Sequence, residues 1–191
     1  MNILNKFIVK WLLPIIVLLI AAAVFNFFNK SHNQNKKDMK AIQVGDMMPE
    51  FTLPDQDGSL FDIKSVLGTK KLVIFFYPKD DSPGCTKEAC YFRDLFEVFK
   101  EADAVIIGIS GQSVESHKKF AVKHRLSYTL LSDSGNKVRK LFGVPTNAFG
   151  LLPGRVTYIA DRNGKVVYIF NSQVQAERHV DEALKILKEL N

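Results

Sequence analysis

The sequence predicts an α/β domain in which helices cover both faces of a mixed central sheet. Two continuous apolar runs, KLVIFFY at 71–77 and AVIIGIS at 104–110, are typical of strands that are buried on both faces. Segments with helical spacing alternate with the strands, and a β-hairpin and a last helix follow. That order of elements favours a mixed sheet between two layers of helices.

The first elements of the body are a hairpin, a buried strand and a helix. Residues 51–54 and 60–63 flank the turn sequence DQDG, which predicts a short hairpin. After the strand at 71–77, the loop sequence PKDDSPG leads into a helix predicted over 85–102. Its apolar side consists of Ala89, Phe92, Phe96 and Phe99.

The later elements continue the alternation of strand and helix. They are the strand 104–110, the helix 113–124, the strand 128–132 and the helix 137–142. A hairpin is predicted where 155–160 and 165–170 flank the turn sequence DRNG, and an amphipathic helix over 176–190 ends the chain. This βαβ–ββα order is that of a thioredoxin-like fold.

An apolar segment precedes this body. Residues 11–28, WLLPIIVLLIAAAVFNFF, contain Asn26 as the single polar residue. As a helix they would span roughly 27 Å, close to the ~30 Å hydrocarbon core of a bilayer. We therefore predict that residues 1–30 are a membrane anchor in which residues 11–28 form a single-pass transmembrane helix. Because lysines flank both ends, the side of the membrane is not assigned.

A cleavable signal segment, followed by export, is the alternative for the same residues. Lys6 and Lys10 would form its charged region, and the alanines at 21–23 a cleavage site. Residues 31–41 are predicted to be a polar tether, and residues 42–191 the folded domain.

Composition and charge exclude several classes of protein. The apolar fraction of 47% excludes a disordered chain, and two cysteines cannot form a disulfide-rich scaffold. Most of the net charge of +6 belongs to the N-terminal segment, since residues 1–40 contain six Lys and one Asp. The remaining 20 basic and 19 acidic residues leave a nearly neutral body. Such a body does not indicate a nucleic-acid-binding domain.

The segment richest in chemistry is YPKDDSPGCTKEAC at 77–90. It connects a buried strand to a helix, which is where α/β sheets place their active sites. Ser82 suits an N-cap and Pro83 the first helical position, so that Cys85 falls in the first turn. Free N–H groups and the positive end of the helix dipole favour a thiolate there. Cys85 is therefore predicted to be a reactive nucleophile.

Cys90 follows five positions later. In an intact helix the two cysteines would point about 140° apart with Cα atoms about 8.6 Å from each other. Because a disulfide needs Cα atoms less than about 7 Å apart, a bond between Cys85 and Cys90 requires the helix start to unwind. Either cysteine could instead be an inert, buried side chain. We expect no metal and no other cofactor. A zinc site needs four ligands, and the three histidines of the domain, His117, His124 and His179, are divided between separate predicted helices.

The spacing Pro78-x-x-x-Ser82-x-x-Cys85 resembles the active-site motif of peroxiredoxins. Together with CTKEAC at 85–90 and LPGRVTYIADRNGKV at 152–166, it is similar to the peroxiredoxin Q, or bacterioferritin-comigratory-protein, branch. The resemblance covers about residues 42–190. The family more often has Thr where Ser82 stands, and the apolar N-terminal segment is not part of its common pattern.

The resemblance implies a role for five residues. Cys85 would be the peroxidatic cysteine and Cys90 the resolving one. Pro78 would shield the thiolate, Ser82 would hydrogen-bond the peroxide, and Arg155 would stabilise the thiolate and the polarised O–O bond. A guanidinium suits that task because it keeps its charge and its donors.

The implied activity is that of a thioredoxin-dependent peroxidase acting on hydrogen peroxide and organic hydroperoxides. Cys85 would become a sulfenic acid, condense with Cys90, and be recycled by thioredoxin or a similar dithiol. Because the resolving thiol is in the same chain, a monomer suffices. Two alternatives are a membrane-tethered thioredoxin-fold copper chaperone, whose family uses C-x-x-x-C with a distal His, and a thiol–disulfide reductase. Arg93 is an alternative to Arg155.

Overall fold

Five of the strands form one mixed sheet in the computed structural model, which describes residues 41–147 and 152–190, and Val24. The strands are β1 (Thr52–Pro54), β2 (Leu60–Asp62), β3 (Lys71–Phe76), β4 (Ala104–Ser110), β5 (Thr129–Ser132), β6 (Thr146–Asn147), β7 (Leu152–Pro153), β8 (Val156–Ala160) and β9 (Val166–Asn171). The helices are α1 (Pro83–Asp94), α2 (Phe96–Glu101), α3 (Val114–His124), α4 (Lys137–Phe142) and α5 (Ala176–Glu189), and a 3₁₀ turn covers Ile63–Ser65.

The strand order of the central sheet is β5-β4-β3-β8-β9. The strands β3, β4 and β5 are parallel, whereas β8 runs antiparallel to β3 and β9 runs antiparallel to β8. Two short antiparallel pairs, β1 with β2 and β6 with β7, lie outside this sheet. The predicted thioredoxin-like α/β fold with a mixed sheet is confirmed.

The central strand β3 separates two apolar cores. All six of its residues are buried, as a continuous apolar run predicts. Successive side chains of a strand point to opposite faces. Leu72, Ile74 and Phe76 therefore pack into one core, and Val73 and Phe75 into the other. The second core also contains the side chain of Cys85, so the predicted nucleophile lies on that face of the sheet.

The helix predicted over 85–102 is two helices in the structure. The first begins at Pro83, and Leu95 interrupts the α-helical backbone with φ −105° and ψ 12° before the second begins. The break lets α1 pack against α5 while α2 packs against β4. Both helices bury a phenylalanine in the same core, Phe92 and Phe99. Since the apolar side continues through the break, hydrophobic spacing did not reveal it.

The apolar segment predicted to be a transmembrane helix lies outside the described residues, apart from Val24. Within the described part of the chain, none of the helices has the length and apolar character needed to cross a bilayer. The chain divides into two units, Met1–Met39 and Lys40–Asn191, and the second contains the fold described above. The boundaries at 30 and 41 stay predictions.

Candidate active site

The start of α1 holds the predicted nucleophile. Ser82 occupies the N-cap position with φ −73° and ψ 144°, Pro83 follows, and Cys85 lies in the first turn. The Ser82 side chain does not cap the helix, because its Oγ donates to the carbonyl oxygen of Lys79 at 3.1 Å. The N–H groups in the first turn of α1 therefore have no side-chain acceptor at the N-cap, and the positive end of the helix dipole lies there.

Arg155 reaches Cys85 because of the strand register. Val156, the first residue of β8, pairs with Phe76 at the end of β3, so Arg155 lies at the sheet edge where the 77–82 loop begins. Its Nη2 donates to the Cys85 Sγ at 3.3 Å, and both side chains are buried. A Cβ at Gly84 would be 3.2 Å from the same Nη2, so glycine lets the guanidinium approach the helix closely.

Glu88, one turn after Cys85, shares the same guanidinium. Arg155 Nη1 donates to Glu88 Oε2, and the Glu88 side chain is completely buried. Burial raises the pKa of Glu88 to about 8, although the charge of Arg155 opposes the shift. For Arg155, burial lowers the pKa, but the charges of Glu88 and Cys85 and the hydrogen bonds to them together outweigh burial and raise the pKa above its usual value. Arg155 therefore remains a cation between the thiol and the carboxyl group.

A buried histidine lies behind Glu88. His179 Nδ1 is 3.7 Å from Glu88 Oε1, an atom that has no hydrogen-bond partner among the described residues. Thr157 Oγ1 lies 2.8 Å from the same Nδ1, and His179 Nε2 lies 2.9 Å from the carbonyl oxygen of Ser172. Burial lowers the pKa of His179 to about 4, and the charge of Arg155 adds to that effect. His179 is therefore neutral at physiological pH, with Nε2–H donating to Ser172.

Sequence reasoning missed Glu88, Thr157 and His179. Glu88 had a signal, because a residue three positions after Cys85 in a helix lies on nearly the same face. The other two had none, since α5 and β8 bring them together from distant parts of the chain.

Cys90 lies away from Cys85 on the wound helix, and both cysteines are free thiols. Cys90 is half-buried, with its Sγ 3.6 Å from Arg93 Nη1 and 3.8 Å from His124 Nδ1. Arg93 therefore contacts Cys90, and Arg155 is the arginine at Cys85. Pro78, which is half-buried, follows β3 in the loop that leads to Cys85.

The arrangement suits nucleophilic attack by a sulfur atom. A buried thiol at a helix start faces a fixed guanidinium, which can stabilise negative charge on sulfur or on a departing oxygen. Among residues 41–147 and 152–190, no group of three or more His, Cys, Asp and Glu side chains could hold a metal ion.

Comparison with known proteins places the chain in a family. The AhpC/TSA family matches residues 44–169. Peroxiredoxin Q of Sedum lineare, a chloroplastic protein, is 55% identical over 149 residues, which are 78% of this chain and 80% of the relative.

Solved structures agree with the sequence comparison. The crystal structure of peroxidoxin BcpB from Mycobacterium tuberculosis superposes with a TM-score of 0.73 at 39% identity, covering 78% of this chain and 99% of that one. A bacterioferritin comigratory protein of Xanthomonas campestris, described by its alkyl peroxide reduction activity, has a TM-score of 0.66 at 33% identity. It covers 73% of this chain and 90% of the other.

The predicted membrane or exported location is wrong. Peroxiredoxin Q relatives at about 55% identity are named as chloroplastic, which matches neither a membrane anchor nor export after signal cleavage. The prediction rested on the hydropathy of residues 11–28. Hydropathy reports how strongly a segment prefers an apolar environment, and by itself it does not identify the compartment.

The family match spans most of the domain, and the motif residues lie within it. The peroxiredoxin Q relatives and the structural neighbours agree on the branch. The chain belongs to the AhpC/TSA family, in its peroxiredoxin Q branch, and is a thiol-dependent peroxidase with an antioxidant role.

Proposed function

We propose that Cys85 is the peroxidatic cysteine and that Cys90 resolves it within the same chain. The Cys85 thiolate attacks the terminal oxygen of ROOH, the O–O bond breaks, and the alkoxide or hydroxide leaves with a proton as alcohol or water. The sulfenic acid left on Cys85 condenses with the Cys90 thiol, which forms a disulfide and releases water.

The observation that carries this proposal is the contact between Arg155 Nη2 and the Cys85 Sγ at 3.3 Å in a buried setting. A cation at that place stabilises the thiolate before attack and the negative charge on oxygen as the O–O bond breaks. Arg155 cannot lose its proton at physiological pH, so its donors are present throughout the reaction.

Two further residues complete the proposed site. Pro78 covers the thiolate from the side of the loop after β3, which keeps water away from the nucleophile. Ser82 turns its hydroxyl toward the bound peroxide. That hydroxyl donates to the Lys79 carbonyl oxygen in the structure, so peroxide binding would exchange one hydrogen bond for another.

Resolution requires a conformational change. Cys85 and Cys90 both lie in the helix Pro83–Asp94, where five residues of intact helix hold their Cα atoms about 8.6 Å apart. The first turns of α1 therefore unwind before the disulfide forms. Two features make unwinding easier: the Ser82 side chain does not cap the helix, and Gly84 lies in its first turn.

The substrates are hydrogen peroxide and organic hydroperoxides. The Xanthomonas campestris relative that is described by alkyl peroxide reduction supports the organic class. Thioredoxin or a similar dithiol then reduces the disulfide by exchange. A single chain contains both thiols, so we propose that the monomer is sufficient for turnover.

The test is a peroxide assay coupled to thioredoxin and thioredoxin reductase, with the full chain and two variants. Cys85→Ser is expected to abolish peroxide consumption. Cys90→Ser is expected to consume about one equivalent of peroxide and then to stop, because its sulfenic acid has no resolving partner. Full steady-state turnover by Cys90→Ser would contradict the role given to Cys90.

A further inference from the structure

The surroundings of Cys90 contain a Cys–His–Asp arrangement that the chemistry at Cys85 does not use. Cys90 Sγ lies 3.8 Å from His124 Nδ1, and His124 Nε2 lies 3.2 Å from Asp81 Oδ1. Three segments contribute one residue each: α1, the end of α3, and the loop before α1. A nucleophile, a base and a group that orients the base are the parts of an activated-thiol triad.

The hydrogen bonds set the direction of proton transfer. Asp81 accepts from His124 Nε2, which leaves the lone pair of Nδ1 directed at the Cys90 thiol. The His124 ring is held further by an edge contact with Phe120, with ring centroids 4.9 Å apart. Asp81 has a left-handed backbone with φ 56°, a conformation that is uncommon for residues other than glycine.

We propose that His124, oriented by Asp81, is the base that activates Cys90 for the resolving step. The inference rests on the proposed role of Cys90 as resolving thiol. His124 Nδ1 accepts the Cys90 proton while α1 is still wound. After the helix start unwinds, the thiolate attacks the Sγ of the Cys85 sulfenic acid, and the S–S bond forms as the S–O bond breaks. Hydroxide leaves and takes up a proton, which balances the one that His124 passes to solvent.

Arg93 gives the thiolate a second partner. Its Nη1 donates to Cys90 Sγ at 3.6 Å and to the His124 carbonyl oxygen at 2.7 Å, which ties α1 to the end of α3. Asp81 in the loop contacts His124, and Arg93 on α1 contacts Cys90. Lys123 on α3 pairs with Asp81, Asp94 on α1 pairs with Arg93, and Tyr128, just before β5, interacts electrostatically with Cys90. Burial raises the pKa of Tyr128 well above its usual value, so Tyr128 stays neutral.

The first experiment measures the reactivity of Cys90 alone, in the Cys85→Ser background. Alkylation by iodoacetamide is followed by mass spectrometry between pH 5.5 and pH 8.5. Adding His124→Gln is expected to lower the rate at pH 7 about tenfold and to move the pH profile to higher pH. Asp81→Asn, which suits the left-handed backbone, is expected to lower it less. Lys119→Gln, on an exposed part of α3, is the matched control and should leave the rate unchanged.

The second experiment measures a single turnover of the chain that retains both cysteines. One equivalent of hydrogen peroxide is added, and sulfenic acid and disulfide are quantified over time after acid quenching. His124→Gln is expected to form sulfenic acid at the wild-type rate and disulfide about tenfold more slowly. Circular dichroism verifies that the variants are folded.

The outcomes separate the two ideas. Unchanged alkylation in His124→Gln overturns the triad, even if the wild type forms the disulfide normally. Faster disulfide formation in His124→Gln also overturns it, because the cluster would then act by holding α1 wound. If His124→Gln slows alkylation but the wild-type chain does not form the disulfide, the triad is supported and the proposed role of Cys90 is refuted.

Discussion

Replacing Glu88 with glutamine tests the buried network around Arg155 most directly. Glutamine keeps the shape of the side chain and an oxygen that can accept from Arg155 Nη1, but it cannot ionise. The carboxyl group of Glu88 is fully buried, and burial raises its pKa from 4.5 to about 8. The variant therefore removes one titration from the folded chain and leaves the packing nearly unchanged.

The sign follows from proton linkage. A folded-state pKa above the unfolded value means that the unfolded chain releases this proton first as the pH rises. The stability linked to Glu88 is therefore fully present below pH 4.5 and is lost as the pH rises through about 8. With about 1.4 kcal/mol for each pKa unit, the whole change is about 5 kcal/mol, of which about 3 kcal/mol is lost by pH 7.

The assay is urea unfolding of the reduced chain, followed by circular dichroism at several pH values from 5 to 8.5. The free energy of unfolding of Glu88→Gln minus that of the wild type is expected to rise by about 1.4 kcal/mol for each unit of increase in pH across most of this range. Glu97→Gln is the matched control, because Glu97 is exposed and pairs with Lys100 on the surface. A wild-type-to-Glu88→Gln difference that stays constant with pH would refute the reasoning.

Three more substitutions have definite expected results. Arg155→Lys should slow the first reaction with hydrogen peroxide about 10²–10³-fold in stopped flow, because an ammonium lacks the planar fork whose two nitrogens contact Glu88 and Cys85 separately. Burial opposes ionisation of Asp80, but hydrogen bonds from His117 and Ser116 outweigh it and lower its pKa below 3.8. That stabilisation is present above pH 3.8 and is lost as the pH falls through the lower native value, so acid unfolding should be flatter in Asp80→Asn than in the wild type. Phe92→Ala should cost about 3–5 kcal/mol in urea unfolding, since Phe92 is fully buried and stacks on Phe75 at 4.6 Å.

Local patterns carried most of the fold prediction. The apolar runs at 71–77 and 104–110 identified the buried strands, because a strand covered on both faces needs no polar alternation. The turn sequences DQDG and DRNG identified the two hairpins. The sequence did not reveal the helix break at Leu95, since the two halves of that segment share one apolar side although they pack on different neighbours.

For the candidate site, the sequence by itself determined that Cys85 stands in the first turn of a helix, after a residue at the N-cap position and a proline, because helix starts and helix spacing are local properties. Only the tertiary structure decided what surrounds the sulfur atoms. The pairing of Val156 with Phe76 brings Arg155 to Cys85, and the end of α3 brings His124 to Cys90. Such contacts depend on strand register and helix packing between segments far apart in the chain, which no local pattern encodes.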